Sequence, residues 1–216
     1  YNTDIDLFFL TGASQKQRYG VDFSRNLGSN FEIHGEFAYL ADLHSRILGP
    51  DGDIRTRSEN IRRWLVGLRY ITRSETTWIA EYYHNGAGVS STKMDRYYAF
   101  IEHGRETFST TGSSTLLHQA GSLGQSTYIK QTPMRNYLYV RVSQKDAFDI
   151  LYFTPAATTI VNLDDTSFSF SPEVIYTGIT NLELRFKATL LHGERWSEYR
   201  EKYQDWRLEL RLRAHF

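Results

Sequence analysis

The sequence predicts an all-β fold, namely a transmembrane antiparallel up-and-down β-barrel with about ten strands. Three observations lead to this fold class. Apolar and polar residues alternate with a period of two along ten segments, which is the pattern of a β-strand between two different environments. The segments average roughly ten residues, close to the ~9–11 residues with which a tilted strand crosses a bilayer. Short and long connections alternate between them, as in membrane barrels.

The composition excludes several other classes. The 216 residues carry 25 Lys+Arg and 25 Asp+Glu, so no excess of positive charge argues for nucleic-acid binding. The absence of Cys excludes thiolate metal sites, thiol catalysis and disulfides. A mean hydropathy of −0.49, without an apolar run near ~20 residues, excludes a helical membrane protein. The chain starts at Tyr1 without Met or signal peptide, so we expect a mature or trimmed product, with one domain over residues 1–216.

The final predicted strand carries the alternation most clearly. Every second residue from Trp206 to Phe216 is apolar, and the residues between them are Arg, Glu or His. The same pattern predicts the other strands, of which the seventh is the least regular. In order, the ten predicted strands are residues 4–12, 17–26, 31–41, 62–72, 76–85, 135–144, 149–162, 166–178, 181–192 and 205–216.

The connections alternate in length along the chain. The short ones are residues 27–30, 73–75, 145–148 and 179–180, and the long ones are 42–61, 86–134 and 193–204. Residues 12–16 and 164–165 are short members of the long series. An even number of strands with this alternation predicts a barrel with periplasmic termini and extracellular long loops.

A soluble β-sandwich or lipocalin-like barrel is the alternative, because its strands alternate as well. Its strands are usually shorter, and it rarely exposes aromatic residues. Here the aromatic residues make up 15% of the chain, and many stand near strand ends, as the interfacial girdles of a membrane barrel require. They are Trp64, Tyr70, Trp78, Tyr82, Tyr176, Trp206 and Phe216.

The end of the sequence resembles the C-terminal β-signal of Gram-negative outer-membrane proteins. Its residues are Leu208, Leu210, Leu212, Ala214 and Phe216, with Ala214 standing where an aromatic residue is common. This resemblance implies recognition by the barrel-assembly machinery.

Segments 21–40, 64–88 and 153–194 resemble the C-terminal part of larger porin-like barrels, broadly akin to alginate-export-type proteins. That resemblance implies further strands before Tyr1 and brings no catalytic motif.

Charged residues occupy the polar side of the predicted strands, where they would line a lumen. Acidic residues lie mainly on the second, third and fifth strands, and basic residues mainly on the last two. Opposed acidic and basic walls of this kind resemble those that create the transverse electric field at a porin constriction. The same residues could also pair with each other and fill the interior. The candidates are Asp22, Glu32, His34, Glu36, Arg69, Glu81, Arg141, Glu183, Arg185, Lys187, Arg207, Glu209, Arg211 and Arg213.

The 86–134 segment is predicted to be a long, partly helical extracellular loop. Ser91 and Thr92 can cap a helix that runs to about Thr107, with Tyr97, Tyr98 and Ile101 on one face. A loop of this length is usually functional or disordered. It could restrict the lumen, cap the mouth or decorate the surface.

Catalysis and metal binding find little support in the sequence. Acidic and histidine residues predicted at the barrel rim have no recognisable catalytic spacing; they are His44, Asp51, Asp53, His84, His192 and Asp205. Residues 112–114 and His118 match a Ser-His pair only in composition, and Glu102, His103 and His118 lack a standard metal-ligand spacing. We therefore predict a non-enzyme without metal or cofactor.

The sequence thus predicts an outer-membrane porin-like channel that passes or exports a small polar or charged solute. The alternatives are a non-conducting structural barrel that anchors an envelope complex and, third, an outer-membrane barrel hydrolase. The expected partners are outer-membrane lipid, lipopolysaccharide, the barrel-assembly machinery, and an envelope complex or further copies of the chain.

Overall fold

The computed structural model describes residues 3–12 and 15–215, which form a mostly β structure; Phe216, the last residue of the proposed assembly signal, lies outside these ranges. The strands are β1 Thr3–Gly12, β2 Gln15–Asn26, β3 Phe31–Leu48, β4 Ile54–Ile71, β5 Thr76–Asn85, β6 Asn136–Gln144, β7 Phe153–Asn162, β8 Phe168–Ile179, β9 Leu182–His192 and β10 Trp206–Ala214. Strands other than β3 and β4 have 9 to 12 residues, whereas β3 and β4 have 18 each.

Each strand pairs antiparallel with the next one along the chain, which gives one ten-stranded sheet in the order β1 to β10. The predicted antiparallel up-and-down arrangement of ten strands is therefore confirmed. Within the described ranges, β1 pairs with β2 and β10 pairs with β9, and no pairing joins β1 to β10 to close a barrel. The connections after β1, β3, β5, β7 and β9 lie at one end of the sheet, called here the long-loop end.

The cross-strand register separates two faces of the sheet. Residues paired in register lie on the same face, and successive residues lie on opposite faces. One row on the apolar face runs through Phe37, Trp64 and His84, and one row on the charged face runs through Glu32, Arg69 and Ile79. The apolar face exposes large side chains on both sides of the sheet, on β1 to β5 and on β9 and β10, whereas those of β6 and β7 are at most partly exposed; the exposed ones include Phe23, Phe37, Val66, Leu68, Trp78, Phe186, Leu190, Leu208, Leu210 and Leu212.

Two sequence predictions need correction. Residues 42–61 were expected to be a long loop, but β3 and β4 extend through most of them and leave a tight turn at 49–53. A register shift between Leu40 and Leu43, with Asp42 at φ 49°, marks the point where this extension begins. The seventh strand starts at Phe153 instead of residue 149, because Ala147–Asp149 form a short 3-10 turn.

Residues 86–134, the helical insert, connect β5 to β6. They contain α1 Ser91–Thr111, α2 Thr115–Leu123 and a π-helical turn at Gly124–Tyr128. The predicted helix is thus confirmed, although its N-cap position is Ser90, which makes no side-chain capping hydrogen bond, and the helix runs past Thr107. Gly112 ends α1 at φ 72°, where its N–H donates to the carbonyl of Phe108, a left-handed cap that suits a residue without Cβ.

The main apolar core lies between the helical insert and the sheet, at the long-loop end. It contains Met94 and Tyr97 of α1, Leu123 of α2, and Tyr137 of β6, with Ile160 of β7 packed against it. Because Tyr137 and Ile160 lie on the charged face, the insert packs on that face of the sheet. No helix in the described part of the chain is both long and apolar enough to span a membrane.

Candidate functional site

The register brings all fourteen predicted lumen residues to the charged face of the sheet. Each pairs across strands with other members of that face, as Asp22 does with Glu36 and Glu209 does with Lys187. These residues therefore share one face of the sheet, and their position in a lumen stays a prediction. The face divides into an acidic side on β1 to β5 and a basic side on β9 and β10.

A charge network on the acidic side joins three strands. His34 Nε2 on β3 lies 3.3 Å from Glu81 Oε1 on β5, and its Nδ1 lies 3.7 Å from Glu32. Arg69 on β4 lies 3.8 Å from Glu32. His34 reaches across β4 at Gly67, where a Cβ would collide with the imidazole. The glycine therefore permits contact between side chains that are two strands apart.

Three acidic residues form an unbalanced row next to this network. Asp6 on β1 pairs in register with Asp22 on β2, which pairs with Glu36 on β3. In the described residues, none of the three has an Arg, Lys or His nitrogen within 4.0 Å. Like charges directly opposite each other destabilise a sheet. The row therefore concentrates negative potential at a cost in stability.

Glu173 on β8 is the most buried charged side chain of the sheet, with 6% of its side chain exposed. Its Oε1 accepts a hydrogen bond from Arg141 on β6 at 3.2 Å, and its Oε2 lies 3.8 Å from Arg185 on β9. Arg141 also donates to Thr158 on β7 at 2.9 Å. In this cluster the two arginines compensate the negative charge of the Glu173 carboxylate, which is costly to bury without cationic partners.

The basic side has the opposite bias. Arg185 and Arg211 pair in register across β9 and β10. Two acids lie among these cations, because Glu183 is 3.7 Å from Arg213 and Glu209 is 3.1 Å from Arg211. Lys187 and Arg207 form no ion pair within 4.0 Å in the described part of the chain. The two ends of the sheet therefore carry opposite net charge on one face.

The helical insert is tied to the extended β3–β4 hairpin by polar contacts. Arg46 Nη1 donates to Ser122 Oγ at 2.6 Å, and Thr127 Oγ1 donates to the Arg46 carbonyl at 2.7 Å. The Leu48 N–H donates to the Tyr128 hydroxyl at 3.1 Å. These bonds and the apolar core fix the insert over the long-loop end of the charged face.

A second long connection, residues 193–204, is anchored by the buried carboxyl group of Glu198. Its Oε2 accepts hydrogen bonds from the Tyr137 hydroxyl at 2.7 Å and from Asn162 Nδ2 at 2.9 Å. Its Oε1 has no hydrogen-bond partner and lies 3.9 Å from Lys202 Nζ. Burial raises the pKa of Glu198 to about 7. The hydrogen bond from Tyr137 and the positive charge of Lys202 lower this pKa, but by less than burial raises it.

The residues considered for catalysis are dispersed. His84 lies on the apolar face, stacked on Trp64 and within 2.9 Å of Asn136, and His44 contacts the Asp42 carbonyl. Asp51 pairs with Arg55 in the β3–β4 turn. The described residues contain no group of three or more His, Asp or Glu side chains placed to hold a metal ion.

The described residues of the proposed assembly signal lie on the apolar face of β10. Leu208, Leu210 and Leu212 expose 59%, 70% and 64% of their surface there. They alternate with the arginines of the charged face, as the sequence predicts.

Sequence reasoning missed three residues of this region. Asp6 follows the same alternation as Asp22, between Ile5 and Leu7, and could have been found by it. Glu173 also stands on the polar side of its strand, but only the pairing reveals its two arginine partners. Glu198 lies in a connection without periodicity, so no sequence signal predicts its burial.

Comparison with known proteins adds no relative to these observations. The chain matches no protein-family model, and no curated protein is significantly similar to it in sequence.

Proposed function

We propose that this chain forms part of a Gram-negative outer-membrane β-barrel that acts as a porin-like channel, passing or exporting a small polar or charged solute without covalent chemistry. The observation that carries the proposal is the pair of like-charged rows at opposite ends of one sheet face, Asp6–Asp22–Glu36 and Arg185–Arg211. Such rows cost stability. In a channel these rows have a function, because the transverse field between them orients charged or dipolar solutes.

The opposite face supports a position in a lipid bilayer. Its exposed side chains are Phe, Leu, Val, Tyr and Trp on β1 to β5 and on β9 and β10, with Leu210 70% exposed. A soluble monomer rarely exposes a continuous apolar surface of this extent. In the proposed setting outer-membrane lipid covers this face, lipopolysaccharide lies at the long-loop end, and the barrel-assembly machinery inserts the chain.

The free edges of the sheet support a barrel with more strands than ten. β1 and β10 each leave one edge without a strand partner in the described residues, and a bilayer does not tolerate unpaired backbone. We propose that strands outside the described set, from the same protein or from further copies, close the barrel. A barrel of sixteen to eighteen strands encloses an aqueous channel, consistent with the resemblance to larger porin-like barrels.

A second candidate, a non-conducting structural barrel that anchors an envelope complex, is favoured by one specific observation. The cluster of Glu173 with Arg141 and Arg185 compensates charge at the centre of the face, and the helical insert covers one end of that face. Side chains arranged in this way fill an interior instead of lining a pore.

Single-channel conductance in a planar bilayer separates the two candidates. The natural full-length protein is inserted, and ion selectivity is measured from the reversal potential in a salt gradient. Stable open steps with a charge preference are expected of a channel. Silence from protein that is demonstrably folded and inserted contradicts the channel and leaves the structural barrel.

A further inference from the structure

A cleft of about 290 Å³ lies between α1 and residues 193–204, beside the charged face and apart from the charge networks formed between the strands. This volume is at the lower end of the ~300–1,000 Å³ of ligand pockets and suits a ligand with a single ring. The aromatic residues that line the cleft are Tyr97, Tyr98, Tyr128, Trp196 and Tyr203. We call it the aromatic cleft.

The aromatic cleft has a rigid inner wall and an exposed rim. Tyr97 and Tyr128 stack with ring centroids 4.3 Å apart, and both are almost fully buried. Tyr203 at the rim is fully exposed, as is more than half of Ile129. A solvent-exposed aromatic ring at the rim of a cleft can pack its face against the apolar C–H groups of a ligand.

Trp196 is held in a conformation that large residues rarely adopt. Its φ is 67°, in the left-handed region, and its N–H donates to Glu201 Oε1 at 2.9 Å. The Arg195 guanidinium lies 4.9 Å from the centre of its ring. Strained backbone of this kind persists only where surrounding contacts enforce it and is frequent in binding sites.

The polar groups of the cleft are largely compensated in charge. Glu102 lies 3.5 Å from both Arg105 and Arg195, and Glu198 lies 3.9 Å from Lys202. With Glu201, three carboxyl groups line the cleft beside Arg105 and Lys202. Arg195 lies outside the lining but pairs with Glu102, so the cleft has little preference for a charged ligand. The groups still offer several donors and acceptors, among them Glu198 Oε1, which is buried and without a partner.

We propose that the aromatic cleft binds a small uncharged polyhydroxylated ligand, of the size and chemistry of one sugar ring. The C–H face of such a ring packs on Tyr203 and Trp196, and its hydroxyl groups bond to the carboxyl and guanidinium groups of the walls. The cleft includes none of the residues in the like-charged rows that support the proposed channel, so sugar binding and ion conduction are tested by separate measurements.

The proposal is tested by isothermal titration calorimetry on the full-length protein, in a detergent without a sugar headgroup. The probes are glucose, galactose, mannose and maltose, raised to about 100 mM, roughly a hundred times a weak dissociation constant of ~1 mM. Glucuronate and choline serve as charged comparisons. We expect saturable binding of at least one neutral sugar and weaker binding of both ions.

Variants locate the binding in the cleft. Tyr203→Ala removes an exposed ring and is expected to weaken binding about 3- to 10-fold, as loss of one aromatic contact implies. Tyr203→Phe keeps the ring and retains the affinity. Phe148→Ala removes another strongly exposed ring, in the β6–β7 connection at the opposite end of the sheet, and is expected to change nothing.

Three results overturn the proposal. They are the absence of saturation by every neutral sugar, equal affinity of Tyr203→Ala and Phe148→Ala, and tighter binding of glucuronate or choline than of the sugars. Circular dichroism confirms that each variant retains the β-sheet before it is titrated.

Discussion

The imidazole of His34 crosses an entire strand to reach the carboxylate of Glu81, with 3.3 Å between Nε2 and Oε1. His34 lies on β3, Glu81 on β5, and the residue between them in the register is Gly67 of β4. A Cβ on Gly67 would collide with His34 Nε2 and stand 2.8 Å from Glu81 Cγ. The missing side chain at position 67 therefore makes this contact between non-adjacent strands possible.

Gly67→Ala is expected to lower the free energy of unfolding by about 1–3 kcal/mol, the usual cost of overpacking a well-filled site. The measurement is urea unfolding of the protein in lipid vesicles. Because the added methyl group meets the imidazole, the same substitution should cost much less in a His34→Ala background. Gly28→Ala, in the β2–β3 turn, meets no atom closer than 4.0 Å and is the control. Equal costs of Gly67→Ala in both backgrounds would contradict this account.

Opening of residues 193–204 is expected to become easier as the pH rises through 7. The folded pKa of Glu198, about 7, lies above its ordinary value of 4.5, so the folded form binds the proton more tightly. Its stabilising contribution is full below pH 4.5 and is lost as the pH rises through the folded pKa. The shift of 7 − 4.5 = 2.5 corresponds to at most about 3 kcal/mol.

Hydrogen exchange of the 193–204 amides between pH 5 and 8 measures this effect, after correction for the intrinsic exchange rate. The other titratable groups that face Glu198 are Lys202, Asp165, Tyr137, Tyr98 and Tyr199. Glu198→Gln keeps the side-chain shape and does not titrate, so its protection should vary much less with pH. The same pH profile in both proteins would assign the effect to another group.

Glu173→Gln is expected to lower the free energy of unfolding by about 2–4 kcal/mol, because it leaves Arg141 and Arg185 facing each other without their shared carboxylate. Glu209→Gln is a matched control on the same face. Glu209 and its partner Arg211 are 35% and 46% exposed, so the loss should be about 1 kcal/mol or less. Urea unfolding of both variants gives the comparison, and equal losses would show that burial does not decide the cost.

The sequence could predict the strands of 9 to 12 residues because the alternation of apolar and polar residues follows the contrast between the two faces of the sheet. It failed at residues 42–61, where the β3–β4 hairpin continues as strand but carries polar residues on both faces, with Ser45 and Arg57 on one face and His44 and Ser58 on the other. Backbone pairing maintains those strands without an apolar stripe, so periodicity has nothing to detect.

The candidate site shows the same difference between what local alternation encodes and what only the pairing of strands determines. Local alternation assigned fourteen charged residues to one face, but their partners depend on register, which no single strand encodes. Glu198 and Tyr137 are 61 positions apart, and their hydrogen bond follows from the packing of a connection that has no pattern of its own. Long-range pairs of this kind become visible only in three dimensions.

Removal of the helical insert is expected to raise the single-channel conductance. Val89 N–H donates to the Pro133 carbonyl at 2.9 Å, so a short Gly/Ser linker can replace residues 91–131 without moving the strands. The insert packs on Tyr137 of the charged face, and its loss uncovers that part of the face. Unchanged conductance from a folded deletion variant would show that the insert does not restrict the route of ions.

The final prediction separates charge selectivity from stability. Neutralising the acidic row by Asp6→Asn, Asp22→Asn and Glu36→Gln should lower the cation-to-anion permeability ratio about 2- to 10-fold. One charge interaction of ~1 kcal/mol in water already changes an equilibrium about fivefold. The row lacks basic partners in the described structure and repels itself, so its neutralisation should also leave the free energy of unfolding unchanged or increased.

The converse set is Lys187→Gln, Arg207→Gln and Arg211→Gln, which should raise the same ratio. Arg185 is left intact because its pairing with Glu173 would confuse selectivity with folding. Neutralising Arg73, Glu75 and Lys145, which lie in exposed turns at the other end of the sheet, is the control and should shift the ratio least. Reversal potentials that move in opposite directions for the two sets, with normal unfolding curves, are expected only if both charged walls face a common ion pathway. If both sets alter unfolding and neither alters a current, the charges serve the stability of a structural barrel.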